Sequence, residues 1–349
     1  MRVDILTFSK VYNRGANMQA YALKNYLEKR GCDVFFIDLQ LPVSEHLNLH
    51  GKIWTCLQNC ISNRFRCKNG FKYTMRYCGV EDIKQNVPVA DVYVVGSDQV
   101  WNPDITKAID PLVYYFSFLP RNAKKVAYAA SFGSDVWLYD NLTTQITANL
   151  REFKAVSVRE DTAAVICRDI FGINAEVVLD PTLLLTKDEL MRLINRPISI
   201  KSITFSYLLF CGSSTIQDVQ TIHKLSGNLQ LYGVPVGILS KLHAFYSIEK
   251  WLYHIANSNL VVTNSFHCMV MSILLHKNFV VIPPYPGRET RMLSLLNKLN
   301  LSERYVASWP EIQNIQDVLL SEIDYNEVDA KLSSLRIDSE RFIDDNILN

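Results

Sequence analysis

Residues 260 to 282 read LVVTNSFHCMVMSILLHKNFVVI, and this stretch decides the fold. Leu260-Val261-Val262 is a short β-rich apolar run closed by polar residues, and Phe279 to Ile282 repeats that signature. Between the two runs there is room for one short helix. Thr263-Asn264-Ser265 offers capping side chains, and Met269, Val270, Ile273 and Leu274 recur at helical spacing, which predicts a helix starting near Phe266. His267 therefore falls in the first turn, where backbone N–H groups lack intrahelical partners and the helix dipole favours an anion. A catalytic histidine beside an anionic substrate suits that position, with Ser265 as a substrate-binding neighbour; a packed, hydrogen-bonded histidine is the plainer alternative.

The same alternation runs through the rest of the chain. Val3 to Phe8, Gly15 to Arg30 and Val34 to Asp38 read as strand, helix and strand, a βαβ opening. The loop after the first strand holds Asn13, Gly15 and Asn17, and ligands of open α/β sheets bind at the carboxyl ends of strands, so these three are candidate substrate contacts. The loop matches neither GxGxxG nor a Walker sequence. Asp91 to Val95 is a buried strand ending in Gly96-Ser97-Asp98-Gln99, where Ser97, Asp98 and Gln99 are candidate hydrogen-bonding groups or simply a turn and a cap. Val126 to Ala130 is a further strand. Ala155 to Val158 is another, and it hands over to Arg159, whose planar guanidinium can hold a carboxylate or phosphate bidentately or pair with Glu160, Asp161 or a neighbour. Strands and helices resume from Ile200. The pattern predicts two Rossmann-like α/β domains facing across a cleft, over residues 1–190 and 191–349, with the terminal helix packing back on the first. After Ile282 a proline-rich loop leads to Arg288 and Arg291, two further candidates for holding an anion.

Composition sets the outer limits. The 349 residues are 48% hydrophobic with mean hydropathy +0.03, as for a soluble globular protein, and 36 basic against 35 acidic residues leave a net charge of +1. No general attraction for nucleic acid follows. No signal peptide and no membrane span are expected, which places the protein in the cytoplasm. The eight cysteines, at 32, 56, 60, 67, 78, 167, 211 and 268, form no CxxC pair and fit no standard zinc spacing, so reduced thiols and no metal are expected. One region is strongly one-signed. From His46 to Val80 there is no Asp or Glu, while Lys52, Arg64, Arg66, Lys68, Lys72 and Arg76 are interleaved with aromatics. This reads as a basic helical excursion, either solvated or, through residues 48–80, a peripheral contact at the inner membrane face.

Several stretches together resemble the polysaccharide pyruvyl transferase family: N-x-GA-x-x-QAYAL (residues 13–23), VVGSDQVWNP (94–103), YAASFG (128–133), VSVRE (156–160), VLDPTLLL (178–185), VVTNSFH (261–267) and R-x-x-SLLNKLNL (291–301). Each fragment is short, but their order is specific. The resemblance implies a fold similar to the two-domain GT-B glycosyltransferases. It also implies transfer of the enolpyruvyl unit of phosphoenolpyruvate to a nucleotide- or lipid-linked sugar in surface polysaccharide (capsule or exopolysaccharide) assembly, with no cofactor beyond that donor substrate. His267 and Arg159 match the family's catalytic histidine and arginine. Cys268 stands where the family has glycine, and Arg14 where it has an aromatic residue. Two alternatives remain at this stage: a GT-B nucleotide-sugar glycosyltransferase, and a noncatalytic carbohydrate-binding assembly protein.

Overall fold

The computed structural model describes residues 1–40, 49–209, 212–234, 245–283, 289–306 and 315–349. They form two compact units, residues 1–184 with 335–349, and residues 185–334.

The first unit is built on seven strands: β1 (Arg2–Leu6), β2 (Asp33–Leu39), β3 (Lys72–Tyr77), β4 (Val92–Val95), β5 (Lys125–Ala130), β6 (Ala155–Val158) and β7 (Glu176–Val177). All neighbours pair in parallel, in the order β3-β2-β1-β4-β5-β6-β7. Every residue of β4 and β5 is buried, and the two faces feed separate cores: Val92 and Val94 join one cluster, Tyr93 and Val95 the other. A strand covered on both faces reads as a continuous apolar run, which is why these two are visible in the sequence. Helix α1 (Arg14–Glu28) follows β1 and is capped by Asn13, whose side chain accepts the Ala16 N–H. Helix α2 (Leu49–Lys68) follows β2, and α3 (Asp161–Phe171) follows β6 and ends on Gly172 in the left-handed conformation.

The basic excursion is only partly helical. α2 stops at Lys68, and Lys72–Tyr77 is the edge strand β3, registered on β2 through pairs such as Phe36 with Tyr73. The sequence KYTMRY alternates and is rich in aromatic and β-branched residues, as a strand half open to water requires.

The second unit carries β8 (Lys201–Tyr207), β9 (Gln230–Val234), β10 (Ser258–Thr263) and β11 (Asn278–Val281), again all parallel, in the order β11-β10-β8-β9. Helix α4 (Ile248–Asn257), capped by Ser247, precedes β10; α5 (Phe266–Leu274) follows it, buried along its whole length. The final helix, α6 (Tyr325–Ile343), ends in the first unit. There Ser339 Oγ accepts the Leu179 N–H at 2.9 Å, and Phe342 and Ile343 enter the core beside Tyr128.

One backbone position is tightly constrained. Gly96, at the carboxyl end of β4, has φ +112°, and a Cβ there would lie 2.2 Å from the Tyr128 carbonyl oxygen on β5. Gly96→Ala should lower the urea unfolding free energy by at least about 2 kcal/mol, from left-handed strain and overpacking together. A wild-type denaturation midpoint would contradict this placement.

Candidate active site

In an open parallel sheet the ligand crevice lies at the carboxyl edge where the strand order reverses. In the first unit that point falls between β1 and β4, and two candidate groups converge on it. Gln19 Nε2 on α1 donates to Thr7 Oγ1 at 2.9 Å, and Thr7 Oγ1 donates to the Ser97 carbonyl at 3.0 Å, so helix, first strand and fourth strand are tied together. Asn13 is exposed on the rim, whereas Gly15 is buried in the first turn of α1. Asn17 is fully buried and used at both ends of its amide: Nδ2 donates to the Val11 and Asn13 carbonyls at 2.9 and 2.7 Å, and Oδ1 accepts from Arg66 at 3.0 Å. Asn17 therefore shapes the loop from behind.

The segment after β4 leads into a buried charge network. Asp180, at 1% exposure, is its hub. One carboxylate oxygen accepts from Ser97 Oγ at 2.7 Å and Arg159 Nη1 at 3.0 Å; the other accepts from the Thr182 N–H at 3.0 Å and Thr182 Oγ1 at 2.6 Å. Arg159 Nη2 also donates to Asp98 Oδ1 at 3.2 Å, and its Nε lies 3.4 Å from Glu160, which accepts from Ser131 Oγ at 2.6 Å. Burial by itself would depress the Arg159 guanidinium, but Asp98, Glu160 and Asp180 outweigh it and hold the group more firmly protonated than usual. The side chain of Arg159 is only 1% exposed and that of Asp98 15%. Asp98, in the left-handed region at φ 76°, is thus the member of the network that reaches the surface, with Ser97 and Arg159 behind it. Gln99 is 7% exposed and accepts from Asn102 Nδ2 at 3.2 Å.

The second unit has its own reversal, between β8 and β10. Thr263 Oγ1 donates to the Tyr207 carbonyl at 2.6 Å, and Asn264 Oδ1 accepts the Leu209 N–H at 2.8 Å, closing the ends of the two strands on each other. Ser265 caps α5 by accepting the Cys268 N–H, and its own N–H donates to Thr263 Oγ1 at 3.0 Å. His267 lies in the first turn with its ring edge-on to Phe266 at 5.3 Å, and the Arg291 guanidinium lies 6.0 Å from the same Phe266 ring. Ser265, His267 and Arg291 therefore gather around the start of α5. Arg288 lies outside the described residues. Cys268 is wholly buried and occupies no accessible space at the helix start; Arg14, also buried, places its guanidinium 5.5 Å from the Tyr12 ring centroid.

Sequence reading missed Asp180, Thr7, Gln19 and Thr182. Asp180 carried a signal, a carboxylate at a strand end before proline, but its partners are 21 and 83 residues away. Among the described residues no group of three or more His, Cys, Asp or Glu is placed to hold a metal ion. A separate cavity of about 410 Å³, lined by His276, Asn278, Ser321, Glu322 and Tyr325, opens at the amino end of β11, at the edge of that sheet away from α5's start.

A family model described as polysaccharide pyruvyl transferase matches residues 13–284. Among solved structures, the chain is similar to AviGT4, a glycosyltransferase involved in avilamycin A biosynthesis, with TM-score 0.55 and 11% identity over 99% of this chain and 96% of that one. It is also similar to Arabidopsis thaliana UGT89C1 complexed with UDP-L-rhamnose, with TM-score 0.53 and 9% identity over 99% and 95% of the two chains. At such identities the likeness concerns the fold, the Rossmann-like parallel α/β architecture of GT-B glycosyltransferases. No curated protein matches the sequence.

The network around Arg159 sets a ranking that unfolding measurements can check. Asp180→Ala should cost about 3 kcal/mol or more, since it leaves Ser97, Thr182 and one arm of a buried guanidinium without their acceptor. Asp98→Asn, which tolerates the left-handed backbone and sits nearer water, should cost about 1 kcal/mol or less. The reverse order in chemical denaturation would refute the hub.

Proposed function

The chain belongs to the polysaccharide pyruvyl transferase family, and on that premise we propose that it moves the enolpyruvyl unit of phosphoenolpyruvate onto a sugar. The observation that carries this reading is the start of α5, inside the matched residues 13–284, where Ser265 and His267 stand in the strand, turn and helix and Arg291 of a later helix lies near the Phe266 ring.

Chemically, one sugar hydroxyl adds to C2 of phosphoenolpyruvate while C3 takes a proton. A second hydroxyl of the same sugar then closes on C2, phosphate leaves, and the second hydroxyl's proton goes to a base, giving a cyclic pyruvate ketal. His267 is the acid/base group for these proton transfers. The first turn of α5 and Arg291 favour the donor's anionic groups, with Arg288 a further sequence-based candidate. Asp98 offers a carboxylate that can accept from a sugar hydroxyl, and Arg159 fixes its position.

The acceptor is a nucleotide- or lipid-linked sugar of surface polysaccharide assembly, and the protein works in the cytoplasm. A lipid-linked acceptor would bring it to the inner membrane face as a peripheral protein, through the basic segment 48–80. Sugar-nucleotide transfer is the competing chemistry. The family's donor is the reason to place phosphoenolpyruvate first.

Incubation with phosphoenolpyruvate and candidate acceptors should release phosphate only when the right sugar is present, and mass spectrometry should find that sugar carrying a pyruvate ketal. Transfer from a sugar nucleotide, with no effect of phosphoenolpyruvate, would replace this reading with a glycosyltransferase. His267→Ala should cut turnover by about a hundredfold or more while the fold persists; unchanged turnover would remove His267 from the acid/base role.

A further inference from the structure

The cavity at the amino end of β11 lies wholly within the second unit, and its volume of about 410 Å³ is that of a small-molecule site. The donors of its wall are already engaged. Arg304, 2% exposed, braces that wall with all five of its N–H groups: Nη1 donates to Asn278 Oδ1 at 2.6 Å and the Val318 carbonyl at 2.9 Å, Nη2 to the Ser321 carbonyl and Oγ at 3.1 and 2.9 Å, and Nε to Glu303 at 3.2 Å. Asn278 Nδ2 donates to the Leu319 carbonyl at 3.0 Å, and Ser321 Oγ to the Val318 carbonyl at 2.9 Å. With its ring neutral, His276 accepts from Lys187 at Nδ1 and donates from Nε2 to Asp329, each at 3.2 Å. It stacks on Tyr325 at 4.4 Å, whose hydroxyl donates to the Lys277 carbonyl.

What the wall leaves open is an acceptor. Glu322 lines the cavity and is exposed, and its carboxylate makes no hydrogen bond or ion pair among the described residues. An ionised carboxylate only accepts, so its ligand must donate. The donor is an ammonium or a hydroxyl, and the charges around the cavity decide between them. Arg304, Lys187 and Lys277 stand against Glu303, Asp329 and Glu322, while Asp324 is held by the first N–H groups of α6. A ligand of either sign gains little net field from that balance. Burial, with Lys187 close by, already pushes the Lys277 ammonium down to about 8, so a further cation is poorly received. An anion would meet Glu322 and find no N–H of Arg304 unused. A neutral hydroxyl avoids both difficulties and gains a charge-assisted hydrogen bond.

We propose that this cavity is a second carbohydrate site, where adjacent hydroxyls of a neutral sugar donate to Glu322 and its C–H face lies against Leu319 and Ile323. The start of α5 is at the opposite, carboxyl edge of the same sheet, so the two sites are separate. That the sugar belongs to the saccharide the protein modifies rests on the function proposed above; the class of ligand does not.

The test incubates the full chain with the methyl glycosides of glucose, galactose and mannose, with putrescine and with inorganic phosphate, all without phosphoenolpyruvate. Amide hydrogen exchange read by mass spectrometry locates the bound molecule. At least one glycoside at millimolar concentration should slow exchange across residues 321–325. Glu322→Gln, at an unchanged thermal midpoint, should raise the concentration needed about tenfold, as a charge-assisted bond gives way to a neutral one. No protection by any glycoside, equal protection in Glu322→Gln, protection confined to the start of α5, or stronger protection by putrescine or phosphate would overturn the proposal. Because the donor is absent throughout, none of these outcomes depends on whether the chain transfers pyruvyl groups.

Discussion

Parallel pairing is the constraint on which the rest depends. A parallel strand can be reached only by a crossover that returns the chain to the starting edge, so every strand of a sheet ends on the same side. In the first unit that edge collects Thr7, Ser97, Ser131 and Arg159; in the second it collects Thr263, Asn264 and Ser265. These residues leave strands buried on both faces and so arrive with little water to satisfy them. They satisfy one another. The result is the chain of bonds from Gln19 through Thr7 to Ser97, and from Ser97 through Asp180 to Arg159, which fixes the loops to within hydrogen-bond tolerance.

What the sequence reveals follows the range of each interaction. β4, β5 and β10 are legible because burial on both faces leaves short continuous apolar runs, and the start of α5 is legible because Ser265 caps its own helix three residues on. The edge strand β3 was lost in its basic surroundings, since a strand half open to water shows only a weak alternation. The Arg159 environment was half legible. Glu160 next door is an obvious partner, whereas Asp98 and Asp180 lie 61 and 21 residues away and become neighbours only through the order of the strands. No local pattern encodes that order, so Asp180 could not be distinguished from an ordinary turn aspartate.

The network around Arg159 also bears on how the proposed reaction divides its labour. Arg159 is a single positive charge held by three carboxylates, and its guanidinium is almost wholly shielded from solvent. To bind a phosphate it would have to release buried carboxylates, and an incoming anion would meet Asp98 first; both steps are unfavourable. A neutral hydroxyl would face neither difficulty at the Asp98 carboxylate, which Arg159 holds in place. The start of α5 presents a different field, the positive end of a helix dipole with the Arg291 guanidinium 6.0 Å from the Phe266 ring. The network around Arg159 is therefore built to hold Asp98 and Asp180 in place rather than to receive an anion.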